Sequence, residues 1–245
     1  MRNIKLNIQY DGTKYKGWQK LGDDTNTIQY KIEKVLSELT GEEIDLIASG
    51  RTDAGVHARN QIANFKTKSN VTNEEILDYC YRYLPLDIVV QKCENASWDF
   101  HSRYNAKKKI YTYKIYNNKF HDIFNRKYSH HVKERLDISK MRDMASLFIG
   151  EHDFKSFTAL KSKKKSTVRE IYSIDFIQNG KDIDIVFVGN GFLYKMIRIL
   201  VGTLIEAGLN RITKEDVQKI MLEKDRSIAP PTAPSHGLFL TDVIY

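Results

Sequence analysis

Cysteine and proline are scarce in this chain of 245 residues, which contains two cysteines and four prolines. Cys80 and Cys93 have no neighbouring histidine or further cysteine that would complete a metal site, and the histidines lack such company as well. The sequence therefore predicts no zinc site, no other metal site and no disulfide scaffold.

Long apolar stretches are also absent. The longest one, residues 196–209, is interrupted by Arg198 and Glu206 and is too short to span a membrane. The first twelve residues alternate charged and apolar side chains, without the apolar block of a signal peptide. These features predict a cytoplasmic protein in a reducing compartment, with no membrane partner.

The excess of positive charge lies in one segment. The whole chain has a net charge of +8, whereas residues 106–169 alone contain 17 Lys and Arg against 6 Asp and Glu. Tyrosines are interleaved with lysines at the start of this segment. Such a combination is typical of a surface that binds phosphates and stacks on bases. A solvated basic face on an ordinary protein is the other interpretation.

The hydrophobic pattern of residues 1–105 predicts the element order β-α-β-β-α-β. Asn26 is the predicted cap of the first helix and Gly41 its end, while a capping box of Thr72 and Glu75 starts the second, which stops before Pro85. The predicted elements are a strand at 4–10, a helix at 28–39, strands at 44–49 and 61–66, a helix at 72–84 and a strand at 88–92.

The same order recurs in residues 106–245. The predicted elements are a strand at 109–116, a helix at 138–148, strands at 167–177 and 182–188, helices at 194–207 and 213–222, and a strand at 238–244. We therefore expect an α+β protein of two ferredoxin-like halves, each a split βαβ unit with an antiparallel sheet. The expected boundaries are 1–105 and 106–245, with the site in a central cleft.

The loop predicted between the second and third strands has an unusual composition. Residues 50–58 read Gly-Arg-Thr-Asp-Ala-Gly-Val-His-Ala. Two glycines allow backbone conformations that would hold Asp53 close to a ligand, and Arg51 adds a planar cation beside it. An aspartate-stabilised turn with a neighbouring salt bridge is the structural alternative.

This loop matches the active-site motif of the tRNA pseudouridine synthase A family, and the resemblance continues in order along nearly the whole chain. Its other motifs are Tyr10-Asp11-Gly12-Thr13, Gly17-Trp18-Gln19, Tyr111-Thr112-Tyr113, Gly150-Glu151-His152-Asp153-Phe154, Gly191-Phe192-Leu193-Tyr194, Met196-Ile197-Arg198, Val201-Gly202, Pro230-Pro231-Thr232-Ala233-Pro234 and Gly237-Leu238. The fold of the family, two ferredoxin-like halves around a cleft, agrees with the repeat deduced from the hydrophobic pattern.

The resemblance implies an enzyme that isomerises uridine to pseudouridine on the 3′ side of the anticodon arm of tRNA. Asp53 would be the nucleophile, attacking either uracil C6 or ribose C1′. Arg198 would pair with Asp53, and Tyr111 would stack on the target base. Arg51 would hold the flipped uridine and Leu238 would line the pocket. The reaction has no redox step, so no cofactor is expected, and the family forms homodimers.

Two groups of lysines are the predicted phosphate contacts. They are Lys107, Lys108 and Lys109, and the run Lys161, Lys163, Lys164 and Lys165. The alternative interpretation of the second group is a solvated loop without a binding role. The structural alternatives are that Tyr111 packs as an ordinary strand residue, that Arg198 reaches a surface carboxylate, and that Leu238 belongs to the core.

Arg59 and Asn60 stand where family members often carry small residues, and Lys195 and Ile199 also depart from the pattern. These departures concern the substrate rather than the chemistry. A paralogous synthase that modifies another RNA is therefore one alternative. A non-catalytic RNA-binding protein on the same scaffold is another, against which the presence of Asp53, Tyr111 and Arg198 argues. A nucleotide-dependent enzyme is excluded by the lack of a phosphate-binding loop.

Overall fold

The structure is a computed structural model, and it describes residues 1–22, 24–160 and 166–245. Its elements, in chain order, are β1 Arg2–Tyr10, α1 Ile28–Thr40, β2 Ile47–Ala48, β3 His57–Thr67, α2 Asn73–Tyr83, β4 Ile88–Ala96, β5 Lys108–Asn117, β6 His130–Val132, α3 Ile138–Ala145, β7 Gly150–Asp153, β8 Val168–Asn179, β9 Asp182–Gly189, α4 Met196–Gly208, α5 Lys214–Glu223 and β10 Leu238–Ile244. Most strand pairs are antiparallel, so the predicted α+β class is confirmed.

The contacts of the chain define two compact units. One comprises Met1–Lys107 and Phe239–Tyr245, and the other comprises Lys108–Leu238. Most of the last strand, β10, is thus grouped with the first unit, whereas the sequence pattern had placed it in the second half. The reason lies in the strand pairing, because residues of β10 form a short parallel ladder with β3.

The first unit has the predicted order of elements. Its strands lie in the order β4-β1-β3, with β2 and β10 pairing β3 at different positions along that strand. Ile4, Leu6 and Ile8 alternate along β1 and are fully buried, as a strand with one covered face requires. The apolar stripe of α1, which includes Ile28 and Ile32, is fully buried as well. Burial of these two apolar surfaces forms the core of the unit.

The ends of α1 and α2 agree with the sequence prediction except at the start of α1. The capping box of Thr72 and Glu75 is present, so that prediction is confirmed. Gly41 ends α1 in the left-handed conformation with φ 71°, also as predicted. The cap of α1, however, is Thr27 rather than Asn26. The Asn26 amide instead donates a hydrogen bond to the Lys14 carbonyl at 2.7 Å, so it is engaged with the preceding loop.

Strand β2 is shorter than the predicted 44–49. The backbone N–H of Ile44 donates to Ser37 Oγ at 3.1 Å, and that of Leu46 donates to Glu33 Oε1 at 3.0 Å. Both acceptors are side chains of α1. Because these amides bond to a helix instead of to β3, only Ile47–Ala48 remains in the ladder.

The second unit is built on a sheet in the order β5-β9-β8-β7, with β6 pairing β5 in parallel. Strands β6 and β7 are short and were not predicted. Helix α3 packs against α4, in which nearly every residue is buried. The predicted 138–148 helix ends at Ala145 and continues as a 3₁₀ turn to Phe148. No helix among the described residues is both long enough and apolar enough to cross a membrane.

Candidate active site

Asp53 lies on a tight turn directly before β3. The Val56 N–H donates to the Asp53 carbonyl at 3.1 Å, and Gly55 adopts φ 76°, a left-handed conformation that favours glycine. Asp53 itself is partly buried, while Arg51 and Ala54 are exposed. The turn therefore holds a carboxylate at a fixed position with an exposed guanidinium group two residues before it.

Thr52 anchors this turn to the rest of the first unit. The hydroxyl groups of Thr52 and Tyr10 are 2.8 Å apart, and the Trp18 N–H donates to the Thr52 carbonyl at 3.0 Å. Burial raises the pKa of the Tyr10 hydroxyl, which consequently stays protonated and available as a hydrogen-bond donor. The residue before Asp53 is thus fixed through both its side chain and its backbone.

Two glycines let other segments approach the turn closely. A Cβ atom on Gly12 would lie 2.0 Å from the Val56 carbonyl oxygen, and one on Gly17 would lie 2.7 Å from that of Thr52. Gly17 also has φ 102°. In the sequence these glycines appeared only as parts of family motifs. The structure shows why glycine is needed at both positions, because any side chain there would displace the Asp53 turn.

The first residues of β3 and the residues before the turn are also tied down. Ser49 Oγ donates to Gln61 Oε1 at 2.6 Å, and Gln61 Nε2 donates to the Gly50 carbonyl at 2.8 Å. On the other side of the turn, the Gly12 N–H donates to His57 Nδ1 at 3.1 Å. The His57 ring is buried and stacks on Phe239, with ring centroids 4.6 Å apart. Both ends of the loop are therefore held by buried polar contacts.

Tyr111 lies on β5 in the second unit and is only 8% exposed. It shares a strand face with Tyr113 and Ile115, which are also buried. Its ring meets Phe192 edge to face, with centroids 5.4 Å apart. The packing interpretation thus describes its surroundings within this unit, and its stacking on a uracil stays a prediction.

Arg198 is bound to the backbone of the closing segment 230–234. Its Nε donates to the Ala233 carbonyl at 2.8 Å, and the Ala233 N–H donates to the Arg198 carbonyl at 3.0 Å. The Tyr113 hydroxyl donates to the Pro234 carbonyl at 2.9 Å. These contacts fix the segment between α4 and β5. Leu238 follows it as the first residue of β10 and is 5% exposed, in keeping with a core position.

The predicted phosphate-binding lysines fall in three places. Lys107 belongs to the first unit and is exposed. Lys108 and Lys109 begin β5, and Lys108 Nζ lies 5.4 Å from the centroid of the Tyr172 ring. The run Lys161, Lys163, Lys164 and Lys165 lies outside the described residues.

The described residues offer neither a metal-binding cluster nor a reactive cysteine. In residues 1–22, 24–160 and 166–245, no group of three or more His, Cys, Asp or Glu side chains could hold a metal ion. The thiols of Cys80 and Cys93 are buried, and burial raises the pKa of each to about 12. Both thiols are therefore protonated at neutral pH, which makes them unsuitable as nucleophiles.

Comparison with known proteins identifies the family. A family model described as tRNA pseudouridine synthase matches residues 7–105 and 144–245. This chain belongs to the tRNA pseudouridine synthase family. Members of the family isomerise uridine in tRNA to pseudouridine, and this protein is such an isomerase. The first matched segment contains the Asp53 turn and the second contains Arg198, whereas Tyr111 falls between the two segments.

Similar proteins match along the entire length of the chain. The chain is 52% identical to tRNA pseudouridine synthase A 1 of Clostridium tetani over 245 residues, which cover 100% of both chains. It is 51% identical to tRNA pseudouridine synthase A of a Bacillus species, again over 100% of both. With tRNA pseudouridine synthase A 2 of Bacillus cereus it shares 46% identity over 99% of each chain.

Proposed function

We propose that Asp53 is the nucleophile of this pseudouridine synthase and that the target uridines lie on the 3′ side of the anticodon arm of tRNA. The observation that carries the proposal is the Asp53 turn itself. A partly buried carboxylate is held on a turn whose neighbour Thr52 is fixed by Tyr10 and Trp18. A nucleophile needs this kind of fixed placement, because the attack requires a narrow range of geometries.

The reaction exchanges one bond of the nucleoside for another. Asp53 attacks either uracil C6 or ribose C1′, and the bond between N1 and C1′ breaks. The base turns, C1′ joins C5, the proton on C5 leaves and N1 gains a proton. The product is an isomer of the substrate and no electron is transferred, so the step needs no cofactor. The carboxylate is regenerated when the enzyme–nucleotide bond breaks.

The other predicted residues are assigned to substrate binding. Arg51, exposed beside the turn, holds the uridine after it leaves the stack of bases. Tyr111 stacks on that base, Leu238 lines the pocket, and Arg198 is the proposed cationic partner of Asp53. Phosphates are bound by Lys107, Lys108 and Lys109 and by the run Lys161, Lys163, Lys164 and Lys165. The protein acts in the cytoplasm as a homodimer.

Substitution of Asp53 tests the proposal. Asp53→Asn keeps the shape of the side chain and removes its nucleophilic charge, so we expect pseudouridine formation to fall by at least about 10³-fold while tRNA binding persists. The measurement is release of tritium from tRNA labelled at uracil C5, together with binding of the unmodified tRNA. The matched control is Asp45→Asn, which removes an exposed carboxylate of the same unit.

Residual turnover near the wild-type rate in Asp53→Asn would contradict the role of Asp53. Sequencing of the modified positions tests the location of the target separately. Pseudouridines outside the 3′ side of the anticodon arm would leave the nucleophile intact as a proposal and would overturn the proposed target.

A further inference from the structure

Strand β3 contains a bulge shortly after the Asp53 turn. Ile8 pairs with Gln61 and Tyr10 pairs with Ala58, so the two residues Arg59 and Asn60 lie opposite the single residue between Ile8 and Tyr10. Bulges bend a strand and redirect its side chains, and they are common beside active sites.

Asn60 is locked in place by the bulge. Its Oδ1 accepts a hydrogen bond from Asn7 Nδ2 at 2.9 Å, and its Nδ2 donates to Asp242 Oδ1 at 2.7 Å. The side chain thereby joins β1, β3 and β10. Because both ends of the amide are used, the backbone at the bulge is held in one conformation.

Arg59 projects from the same bulge and is exposed. Its guanidinium carbon lies 5.7 Å from the centroid of the Phe239 ring, and Phe239 stacks in turn on His57. Within the part of the chain that the structure describes, the guanidinium forms neither an ion pair nor a hydrogen bond. An arginine that is oriented by an aromatic ring but has no anionic partner is prepared to bind one.

The position of Arg59 points to the substrate as that partner. Arg59 follows Val56, the end of the Asp53 turn, by three residues, a distance of about 10 Å along a strand. His57, on which Phe239 stacks, also receives the hydrogen bond from Gly12, a residue in contact with the turn. The same buried contacts thus orient both the turn and the arginine.

We propose that Arg59 binds a backbone phosphate of the tRNA strand that carries the target uridine, close to the Asp53 turn. This inference rests on the proposed function of Asp53. A guanidinium group presents parallel N–H donors that match two phosphate oxygens, and the contact with the Phe239 ring restricts the Arg59 side chain before the tRNA binds. The contact positions the strand, whereas the chemistry remains with Asp53.

Binding of tRNA at several salt concentrations tests this contact. For Arg59→Ala we expect the Kd for unmodified tRNA to rise about five- to tenfold, and the slope of log Kd against log salt to fall by about one unit. KM should rise with Kd, with the loss concentrated in KM rather than in kcat. The control is Arg82→Ala, which removes an exposed arginine from α2 of the same unit and should leave the salt slope unchanged.

Two further variants separate a phosphate contact from the alternatives. Arg59→Lys keeps the charge and should retain most of the salt slope, whereas stacking of Arg59 on a base would make Lys as weak as Ala. Phe239→Leu removes the aromatic platform and should weaken binding less than Arg59→Ala does. Thermal melting of each variant verifies that it is folded.

A salt slope and Kd for Arg59→Ala equal to those of Arg82→Ala would overturn the proposal, as would a salt slope for Arg59→Lys as low as that of Arg59→Ala. These results would leave the role of Asp53 untouched. Conversely, full activity of Asp53→Asn would overturn the proposed function while the phosphate contact could still be measured by binding.

Discussion

At the scale of single residues, the placement of Asp53 depends on glycines that are distant in sequence. Gly17 combines a left-handed φ of 102° with a contact to Thr52 that leaves no room for a Cβ atom. Gly41 is a useful comparison, because its φ is 71° and a Cβ atom placed on it would meet none of the described residues within 4 Å apart from its two chain neighbours. Comparing substitutions at Gly17 and Gly41 thus separates the cost of a left-handed conformation from the cost of a steric clash.

We predict that Gly17→Ala lowers both stability and turnover. Gly41→Ala should cost about 1–2 kcal/mol for the left-handed conformation alone. Gly17→Ala should cost about 1–3 kcal/mol more, because the Thr52 carbonyl must move, and turnover should fall as the Asp53 turn shifts. Urea unfolding and single-turnover assays of the two variants are the measurements. Equal losses in both would show that crowding at Gly17 is unimportant.

At the scale of elements, α4 and the closing segment 230–234 are packed backbone to backbone. A Cβ atom on Gly202 would lie 2.0 Å from the Pro231 carbonyl oxygen. Arg198, one turn earlier on α4, exchanges two hydrogen bonds with Ala233. The absence of a side chain at Gly202 therefore allows the segment 230–234 to lie directly against the backbone of α4.

Whether Gly202→Ala stabilises or destabilises the protein tests this packing. Helix propensity alone predicts that alanine stabilises α4 by about 1 kcal/mol. We expect the opposite, a decrease of about 2 kcal/mol or more in the free energy of unfolding, because the new methyl group would clash with the Pro231 carbonyl. The graded control is Gly208→Ala, where the closest atom belongs to the flexible Met141 side chain, at 2.8 Å, and the cost should be smaller. Stabilisation by Gly202→Ala in urea unfolding would contradict the observed packing.

At the scale of the whole molecule, stability should depend on pH through His130. Burial, followed by the neighbouring His236 and His131, lowers the pKa of His130 from 6.5 to about 4. Well above pH 6.5 His130 is neutral in both the folded and the unfolded protein. As the pH falls from 6.5 to 4, His130 takes up a proton in the unfolded chain but stays neutral in the folded protein. The free energy of unfolding therefore decreases.

We therefore predict that His130→Gln flattens the pH dependence of stability between pH 6.5 and 4. The change in slope should stay below about 1.4 kcal/mol per pH unit, because His130 is partly exposed to solvent. Urea unfolding of the wild type and the variant at pH 7, 6 and 5 measures it. Parallel stability curves for the two proteins would rule out this contribution.

Features that depend on near neighbours were predictable from the sequence. The alternation of β1, the apolar stripe of α1 and the capping box of Thr72 and Glu75 each require only residues a few positions apart. The order of motifs likewise identified the family, because those residues are read directly from the chain. Asn26 was wrong as a cap because a more distant acceptor, the Lys14 carbonyl, engages its amide.

The sequence by itself thus determined the α+β class, the main elements and the family of this protein. Only the tertiary structure decided how the Asp53 turn is held, why β2 is short and where Arg59 points. The physical reason is that these features depend on contacts between segments far apart in the chain, such as Gly12 with Val56 and Phe239 with His57. No local periodicity records such contacts, because each residue of a pair is compatible with many other partners.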